Sequence, residues 1–522
     1  MLPGTKVSRR PAGLSLQESL RNRIHEEKQM TRVFDPGASS ADWTWDAIDW
    51  RPIEKHVRRL QTRIAKATAE ERWGKVKALQ WLLTHSFYAK LLAVKRVTGN
   101  RGGKTPGVDG MLWRTPQQKI DAASSLKRRG YRPQPLRRIY IPKKSGQQRP
   151  LGIPTMADRA YQALHWFALE PVSETRADRN AYGFRPKRGT ADAIAQCFNL
   201  LCRRTSAQWI LEGDIKSCFD QIDHDWLLAN IPMDKEVLNK WLKAGYVEKN
   251  LFYPTADGTP QGGIISPTLM LMTLRGLEEV VAHATTGQDK VHVVAYADDF
   301  VITGASEAVL RDKVKPALEA FLDKRGLELS KEKTLITSIE RGFDFLGFNV
   351  RKYNGKLLIK PAKKSVLAFL ADLRCTIQSK KSISSGELIR LLNPKIRGWA
   401  NYYRHVVSKQ TFSYVDHHVF QATWKWSTRR HPNKPVDWVK RKYFRRDGSR
   451  DWVFGGQTVD RNGAVCFRTL VHAGDTAIRR HIKVRSDANP YSSLDEGYFA
   501  NRAGRRFHYY LAGVAPLWQT GV

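Results

Sequence analysis

Two adjacent aspartates, Asp298 and Asp299, are the residues whose type and spacing most directly indicate chemistry in this chain. They lie in VHVVAYADDFVITG, residues 291–304, between two apolar runs rich in β-branched side chains. This pattern predicts a β-hairpin with both carboxylates at its turn, although paired aspartates are also common in turns without a catalytic role. Joined by a third carboxylate from a neighbouring strand, they could bind two Mg2+ ions and promote in-line phosphoryl transfer.

Asp214 is the candidate for the third carboxylate. The segment WILEGDIKSCFDQIDH, residues 209–224, predicts a strand that begins at Trp209 and leads into Asp214, with Phe219 shortly after it. An isolated aspartate after a strand is more commonly a turn or cap residue. Downstream, TPQGGIISPTLMLMTL predicts a glycine-containing loop and then an apolar helix. Such a loop and helix could lie along a pocket for template, primer and nucleotide.

A basic hairpin is predicted upstream, in RRIYIPKKSGQQRPLGIPT, residues 137–155. Lys143 and Arg149 would flank its turn. Two cations on such a hairpin could hold a triphosphate, whose negative charge rises as pyrophosphate leaves. A solvated basic hairpin without a ligand is the alternative.

Charge and length indicate the class of partner. The chain has 522 residues, which suggests about three to four domains, and 88 Lys and Arg residues against 50 Asp and Glu give a net charge of +38. A balance this basic favours RNA or DNA as the partner. No apolar run approaches the roughly 20 residues that a membrane span requires, so no membrane partner is expected.

The cysteines and the N-terminus indicate a reducing compartment. Five cysteines occur without a C-x-x-C pair, so we expect reduced thiols and no zinc site. The first residues lack the apolar stretch of a signal peptide. A cytoplasmic location is therefore expected, with nucleoid association if the source is bacterial.

The motifs taken together resemble the reverse transcriptases encoded by group II introns, which combine reverse transcription with RNA maturase activity. The resemblance covers nearly the whole chain, and the matching segments occur in the family's order: PGVDG, IPKKSGQQRPLGIPT, YGFRPKRGT, GDIKSCFDQIDH, TPQGGIISP, YADD, LELSKEKT and FLGF. It implies an α+β, right-hand polymerase fold with fingers, an antiparallel-sheet palm, an α-helical thumb/maturase domain and a small basic C-terminal domain.

Composition and apolar spacing in the first 100 residues, and the resemblance after them, imply domain boundaries. We expect a flexible leader at 1–40, an N-terminal helical extension with two amphipathic helices at 41–99, and fingers and palm at 100–360. A thumb or maturase domain X would follow at 361–434, and a basic DNA-binding region at 435–522. Many family members continue into an HNH endonuclease; this chain is expected to lack one and to use a primer made by another activity.

The active-site roles follow from the same resemblance. Asp214 and Asp298 would bind both Mg2+ ions, with Mn2+ able to substitute, while Asp299 completes the cluster and the Ile215 carbonyl is a further ligand. Phe219 matches a steric gate that favours dNTPs over rNTPs. The remaining nucleotide contacts implied are the triphosphate contacts Lys143 and Arg149, the base-pair contact Gln261, and Lys333, which could protonate pyrophosphate or be a plain exposed lysine.

The C-terminal third is expected to bind nucleic acid through its cations, with most of its aromatic residues in the core. The candidate contacts are Arg397, Arg404, Lys425, Arg429, Arg430, Lys440, Arg441 and Lys442. The expected partners are structured RNA of the group II intron type, an RNA template with a DNA primer, a DNA target and dNTPs. Two alternatives remain open: a domesticated reverse transcriptase in DNA repair or phage defence, and a mainly non-enzymatic RNA-splicing chaperone.

Overall fold

The fold is taken from a computed structural model, which describes residues 44–142, 146, 148–259, 261–459 and 462–510. The predicted leader at 1–40 and the candidate triphosphate contact Lys143 lie outside the described residues.

Helices make up most of the regular structure. They are α1 (Trp50–Ala69), α2 (Trp73–His85), α3 (Phe87–Thr98), α4 (Pro116–Ser125), α5 (Met156–Arg176), α6 (Thr190–Leu201), α7 (Cys218–Gln221), α8 (His224–Asn230), α9 (Lys235–Leu242), α10 (Ser266–Thr273), α11 (Leu277–His283), α12 (Lys315–Asp323), α13 (Lys363–Ser379), α14 (Ser385–Tyr403), α15 (Lys409–Arg429), α16 (Val436–Tyr443) and α17 (Glu496–Tyr510). A π-helical turn, Val309–Val314, leads directly into α12.

Among the described residues, the strands form four small sheets. They are β1 (Leu136–Pro142), β2 (Gln148–Ile153), β3 (Trp209–Asp214), β4 (Tyr246–Glu248), β5 (Leu251–Tyr253), β6 (His292–Tyr296), β7 (Asp299–Gly304), β8 (Leu335–Ser338), β9 (Phe343–Phe345), β10 (Phe348–Tyr353), β11 (Lys356–Pro361), β12 (Phe444–Asp447), β13 (Arg450–Val459) and β14 (Val465–Thr469).

The sheet that carries the candidate aspartates has the strand order β6-β7-β3-β8, and its pairs are antiparallel. Its central strand β7 is buried on both faces. Phe300 and Ile302 pack into one hydrophobic cluster with the N-terminal helices, while Val301 packs into a second cluster with α13, α14 and α15. Because successive side chains of a strand point to opposite faces, the sheet lies between the two hydrophobic clusters, and β3 and β6 also contribute side chains to both.

The predicted basic hairpin is present as β1 and β2. Strands β1 and β2 pair from Arg137 with Ile153 to Pro142 with Gln148, and the sheet continues as β2-β1-β4-β5. The prediction of two N-terminal helices is wrong, because the described structure has three, α1 to α3. The extra break is at Ser86, whose backbone is extended; serine competes with helix formation by bonding to nearby backbone groups, while the apolar pattern continues on both sides.

The thumb region is helical, as predicted. The apolar periodicity predicts helices in KKSVLAFLADLRCTI, SSGELIRLLNPKIRGWANYYRH and YVDHHVFQATWKWSTRRH, and α13, α14 and α15 match these three segments. Beyond them, α16 packs with the sheet β12-β13-β14, and Gly386 of α14 fits so closely on β13 that an added Cβ would lie 1.9 Å from the carbonyl oxygen of Gln457. The predicted fold class, an α+β right-hand polymerase, is confirmed by this arrangement and by the similarities reported below.

Candidate active site

The hairpin β6–β7 places Asp298 and Asp299 at one end of the sheet. Tyr296 pairs with Asp299, which leaves Ala297 and Asp298 as the two turn residues. Ala297 has a φ of 59°, the left-handed conformation that tight hairpin turns require. Across the neighbouring strands, Asp214 pairs directly with Asp299. The three carboxylates predicted from the sequence are therefore brought to the same sheet end.

Asp298 and Asp299 are both harder to ionise than an ordinary aspartate. Partial burial, followed by the charge of Asp214, raises the pKa of Asp298. Partial burial and the charges of Asp298 and Asp214 raise the pKa of Asp299 to about 6. Repulsion between carboxylates is relieved by a bound cation.

Lys333 supplies a cation at this cluster. Its Nζ atom donates to Oδ2 of Asp214 at 2.9 Å, and this contact raises the pKa of Lys333. The loop that carries the lysine is tied to β3, because the backbone N–H of Ser330 donates to the carbonyl of Asp214 at 2.8 Å. The lysine is therefore a neighbour of the carboxylates, and not a remote surface residue.

Phe219 and Gln261 lie on two segments that contact each other beside the carboxylates. Phe219 is half-buried on α7, and its carbonyl accepts from the N–H of Thr259 at 2.6 Å. The Gln261 side chain donates to Asp220 at 3.2 Å, while the Gln261 carbonyl accepts from the N–H of Gly152 on β2 at 2.8 Å. The loop thus joins α7 to the fingers sheet.

Arg149 and Ile215 complete the set of predicted residues. Arg149 is exposed on β2, and its positive charge lowers the pKa of Asp298, which places it on the side of the carboxylates. Ile215 is buried directly after β3 and forms a bridge with Leu329. Its position beside Asp214 keeps its backbone at the site.

A loop that sequence reasoning did not assign to the site also contacts the catalytic turn. Ala181 and Ala295 form an isolated parallel bridge, so the loop extends the sheet beside β6. At Gly183 an added Cβ would lie 2.1 Å from the backbone nitrogen of Ala297, so only glycine fits there. The available sequence indication was the aromatic-glycine pattern AYGF, which does not by itself identify a contact with YADD.

The candidate nucleic-acid cations divide into two groups. Arg404 donates to the carbonyl of Ala477, Arg430 donates to the carbonyls of Lys381 and Ile383, and Lys440 and Lys442 lie over tryptophan rings. These four already have structural contacts. The other four are exposed, and their side chains have no hydrogen bond or ion pair among the described residues: Arg397, Lys425, Arg429 and Arg441.

The carboxylates of Asp214, Asp298 and Asp299 are donors suited to a divalent cation, although their side chains are not oriented toward one common point. Within the described ranges, no three His, Cys, Asp or Glu side chains are arranged to hold a metal ion, and one oxygen of Asp214 is paired with Lys333. Carboxylate oxygens are nevertheless the ligands that hard divalent cations prefer. The repulsion within the cluster adds a reason to bind positive charge. The residues present fit such a group.

Comparison with known proteins identifies the family of this chain. Residues 141–350 match the family described as reverse transcriptase (RNA-dependent DNA polymerase), residues 45–126 its N-terminal domain, and residues 366–444 the group II intron maturase-specific domain. The group II intron-encoded protein LtrA of Lactococcus lactis subsp. cremoris is 30% identical over 421 residues, which cover 62% of this chain and 69% of LtrA. The chain belongs to the family of group II intron-encoded reverse transcriptases. Because of this membership, the chain is a reverse transcriptase with a maturase domain. Enzymes of the family use divalent metal ions and act on RNA.

A second curated relative and a solved structure are also similar to this chain. Protein YkfC of Escherichia coli (strain K12) is 31% identical over 337 residues, covering 56% of this reverse transcriptase and 87% of YkfC. A structure of telomerase from Candida albicans with a TWJ fragment of telomeric RNA matches with a TM-score of 0.35 and 11% identity, over 59% of this chain and 64% of that one. In the part of the reverse transcriptase that the structure describes, no helix has the length and apolar character needed to cross a membrane.

Proposed function

We propose that this reverse transcriptase adds dNTPs to the 3′-hydroxyl of a DNA primer on an RNA template, with Asp214, Asp298 and Asp299 as its catalytic carboxylates. The observation that carries the proposal is the pairing of Asp214 with Asp299 across β3 and β7, with Asp298 at the adjoining turn. Carboxylates from neighbouring strands can hold two Mg2+ ions, with the Ile215 carbonyl as a further ligand. Bound there, the ions would supply acidification of the primer hydroxyl and stabilisation of the departing pyrophosphate.

The chain's own residues hold the nucleotide. Phe219, half-buried on α7, would occupy the space that a ribose 2′-hydroxyl requires and so favour deoxyribose. Gln261 is held between α7 and β2 and would lie near the nascent base pair. Arg149 would bind the triphosphate, and Lys143 is proposed for the same role from the sequence. Lys333, whose Nζ donates to Asp214 at 2.9 Å, would deliver a proton to the leaving pyrophosphate.

We further propose that the maturase domain binds structured intron RNA to assist splicing and mobility, and that the enzyme works in the cytoplasm. The support is chemical: Arg397, Lys425, Arg429 and Arg441 are exposed and unpaired among the described residues. Unpaired cations are available to phosphates, whereas Arg404 and Arg430 already donate to main-chain carbonyls. A DNA target is proposed for the basic region after residue 435.

The substitution Asp298→Asn tests the catalytic assignment. It keeps the size of the side chain and removes the charge, so Mg2+-dependent extension of a DNA primer on an RNA template should fall at least 100-fold. Binding of the same duplex should change little. Asp323→Asn, an exposed aspartate at the end of α12, is the matched control and should extend like the unaltered enzyme. Extension by Asp298→Asn at the normal rate would exclude this residue from catalysis.

A further inference from the structure

Phe184 is an exposed aromatic residue in contact with the proposed steric gate. The centroids of the Phe184 and Phe219 rings lie 6.2 Å apart and their planes meet at 76°, an edge-to-face contact. Such contacts are favourable beyond simple burial. The ring of Phe184 is nevertheless 44% exposed, so it is not a core residue.

The backbone of Phe184 is in an unusual conformation. Its φ is 57°, in the left-handed region that a bulky residue rarely adopts and that costs free energy. Strain of this kind persists where surrounding contacts fix the chain, and it is concentrated at functional sites. Contacts of the neighbouring residues must therefore hold the backbone of Phe184 in this conformation.

Arg185 provides that fixation. Its guanidinium donates to both carboxylate oxygens of Glu174 at 2.8 and 3.0 Å, and to the carbonyls of Asp178 and Ala181 at 2.7 and 2.8 Å. The side chains of Arg185 and Glu174 are only 3% and 1% exposed. A buried guanidinium with four such contacts has little freedom, so the residue before it is held as well.

Gly183 fixes the loop on the other side. It contacts the backbone of Ala297 in the catalytic turn so closely that no side chain would fit. Phe184 is thus held between a buried ion pair and the turn that carries Asp298. Its ring is directed to Phe219, which lies on a helix of only four residues and needs support from outside that helix.

We propose that Phe184 is a positioning residue that holds the Phe219 ring in place and thereby sets discrimination between deoxyribose and ribose nucleotides. The inference rests on the proposed function of the site. Without the edge-to-face contact, the Phe219 ring gains room to turn away from the sugar, and a ribose 2′-hydroxyl is accommodated.

The test is a double-mutant cycle read as the ratio of kcat/KM for a dNTP to kcat/KM for the matching rNTP. Phe184→Ala should lower this ratio about three- to tenfold, as expected for the loss of one aromatic contact. Phe219→Ala should lower it further, and the double variant should match Phe219→Ala alone, because residues that act together are not additive. Phe198→Ala removes a comparably exposed ring, 43%, on α6 and should leave the ratio unchanged.

Two more variants separate the ring from the backbone strain. Phe184→Gly relieves the positive φ, so it should fold at least as well as Phe184→Ala while showing the same lowered ratio. Phe184→Tyr keeps the aromatic ring and should show the same dNTP-to-rNTP ratio as the unaltered enzyme. An unchanged ratio in Phe184→Gly, or additive effects in the double variant, would overturn the inference about Phe184 and leave the proposed function intact. A wild-type chain unable to extend a primer with dNTPs would instead refute the proposed function, and the inference with it.

Discussion

At the scale of single residues, the candidate active site combines the negative charges of three carboxylates with the positive charge of one ammonium group. Burial and mutual repulsion raise the pKa of both Asp298 and Asp299. Lys333 lowers the pKa of both of these aspartates by its charge and pairs directly with Asp214. The lysine therefore has two compatible roles. Its charge offsets part of the negative charge of the cluster in the free enzyme, and we propose that it also protonates the leaving pyrophosphate.

Replacing Lys333 by alanine tests its role as a proton donor. If it protonates the leaving pyrophosphate, kcat for dNTP addition should fall about 100-fold, the lower range for general acid catalysis, while KM changes little. Lys331→Ala is the matched control, because Lys331 is an exposed lysine of the same loop. Single-turnover extension rates give the comparison, and equal rates for both variants would leave Lys333 as a surface lysine without a chemical role.

At the scale of elements, the segment after β14 fastens the C-terminal region to the body of the enzyme through α6. Asp192 of α6 is buried and accepts from His481 at 2.7 Å, from the N–H of Val484 at 2.8 Å and from Arg502 at 3.0 Å. Nearby, the buried Arg188 donates to the carbonyl of Ala488 at 2.8 Å. One carboxylate on α6 thus fixes residues from three positions along the C-terminal segment.

Asp192→Asn should release this segment. Breaking a buried ion pair costs roughly 3 kcal/mol, which corresponds to about 100-fold faster amide exchange where the opening is local. Hydrogen–deuterium exchange of residues 481–502 measures it, with Asp487→Asn, an exposed aspartate of the same segment, as the control. Exchange as slow as in the unaltered enzyme would show that the other contacts suffice.

The same contact has a predictable pH dependence. Burial alone would raise the pKa of Asp192, but the hydrogen bond and charge of His481 and the charge of Arg502 bring it below the ordinary value of 3.8. A carboxyl with a lowered folded-state pKa stabilises the fold above the unfolded value, and that stability is lost as the pH falls through the folded value. Protection of residues 481–502 should therefore persist above about pH 4 and decrease below it, and Asp192→Asn should lack this acid-dependent part.

Elements of local origin were predictable from the sequence, whereas contacts between distant segments were not. The YADD hairpin, the strand into Asp214 and the thumb helices follow from short-range periodicity and turn chemistry. The break at Ser86 was missed because the apolar pattern continues across it. The contact of Gly183 with Ala297 depends on a bridge between distant segments, and no local pattern encodes it. The metal and nucleotide roles of the individual residues stay predictions.

At the scale of the whole molecule, a net charge of +38 does not identify a binding surface, because many cations already have partners. The maturase domain shows the distinction. Arg430 is close to the RNA-binding candidates in sequence, yet its guanidinium donates to two carbonyls and lies over Trp426. Lys425 and Arg429 of α15 are exposed and free of such contacts among the described residues. Four residues apart, they lie one helical turn from each other on the same face, which matches a pair of phosphate contacts.

The double variant Lys425→Gln with Arg429→Gln tests this surface. Each phosphate contact contributes about one unit to the slope of log K against log salt, so loss of both should flatten the slope for structured intron RNA by about two units and weaken binding most at low salt. Arg311→Gln with Lys315→Gln removes the same charge from residues paired with carboxylates and should leave the slope nearly unchanged. If both double variants flatten the slope equally, binding reflects the overall charge of the molecule, and α15 carries no specific RNA contact.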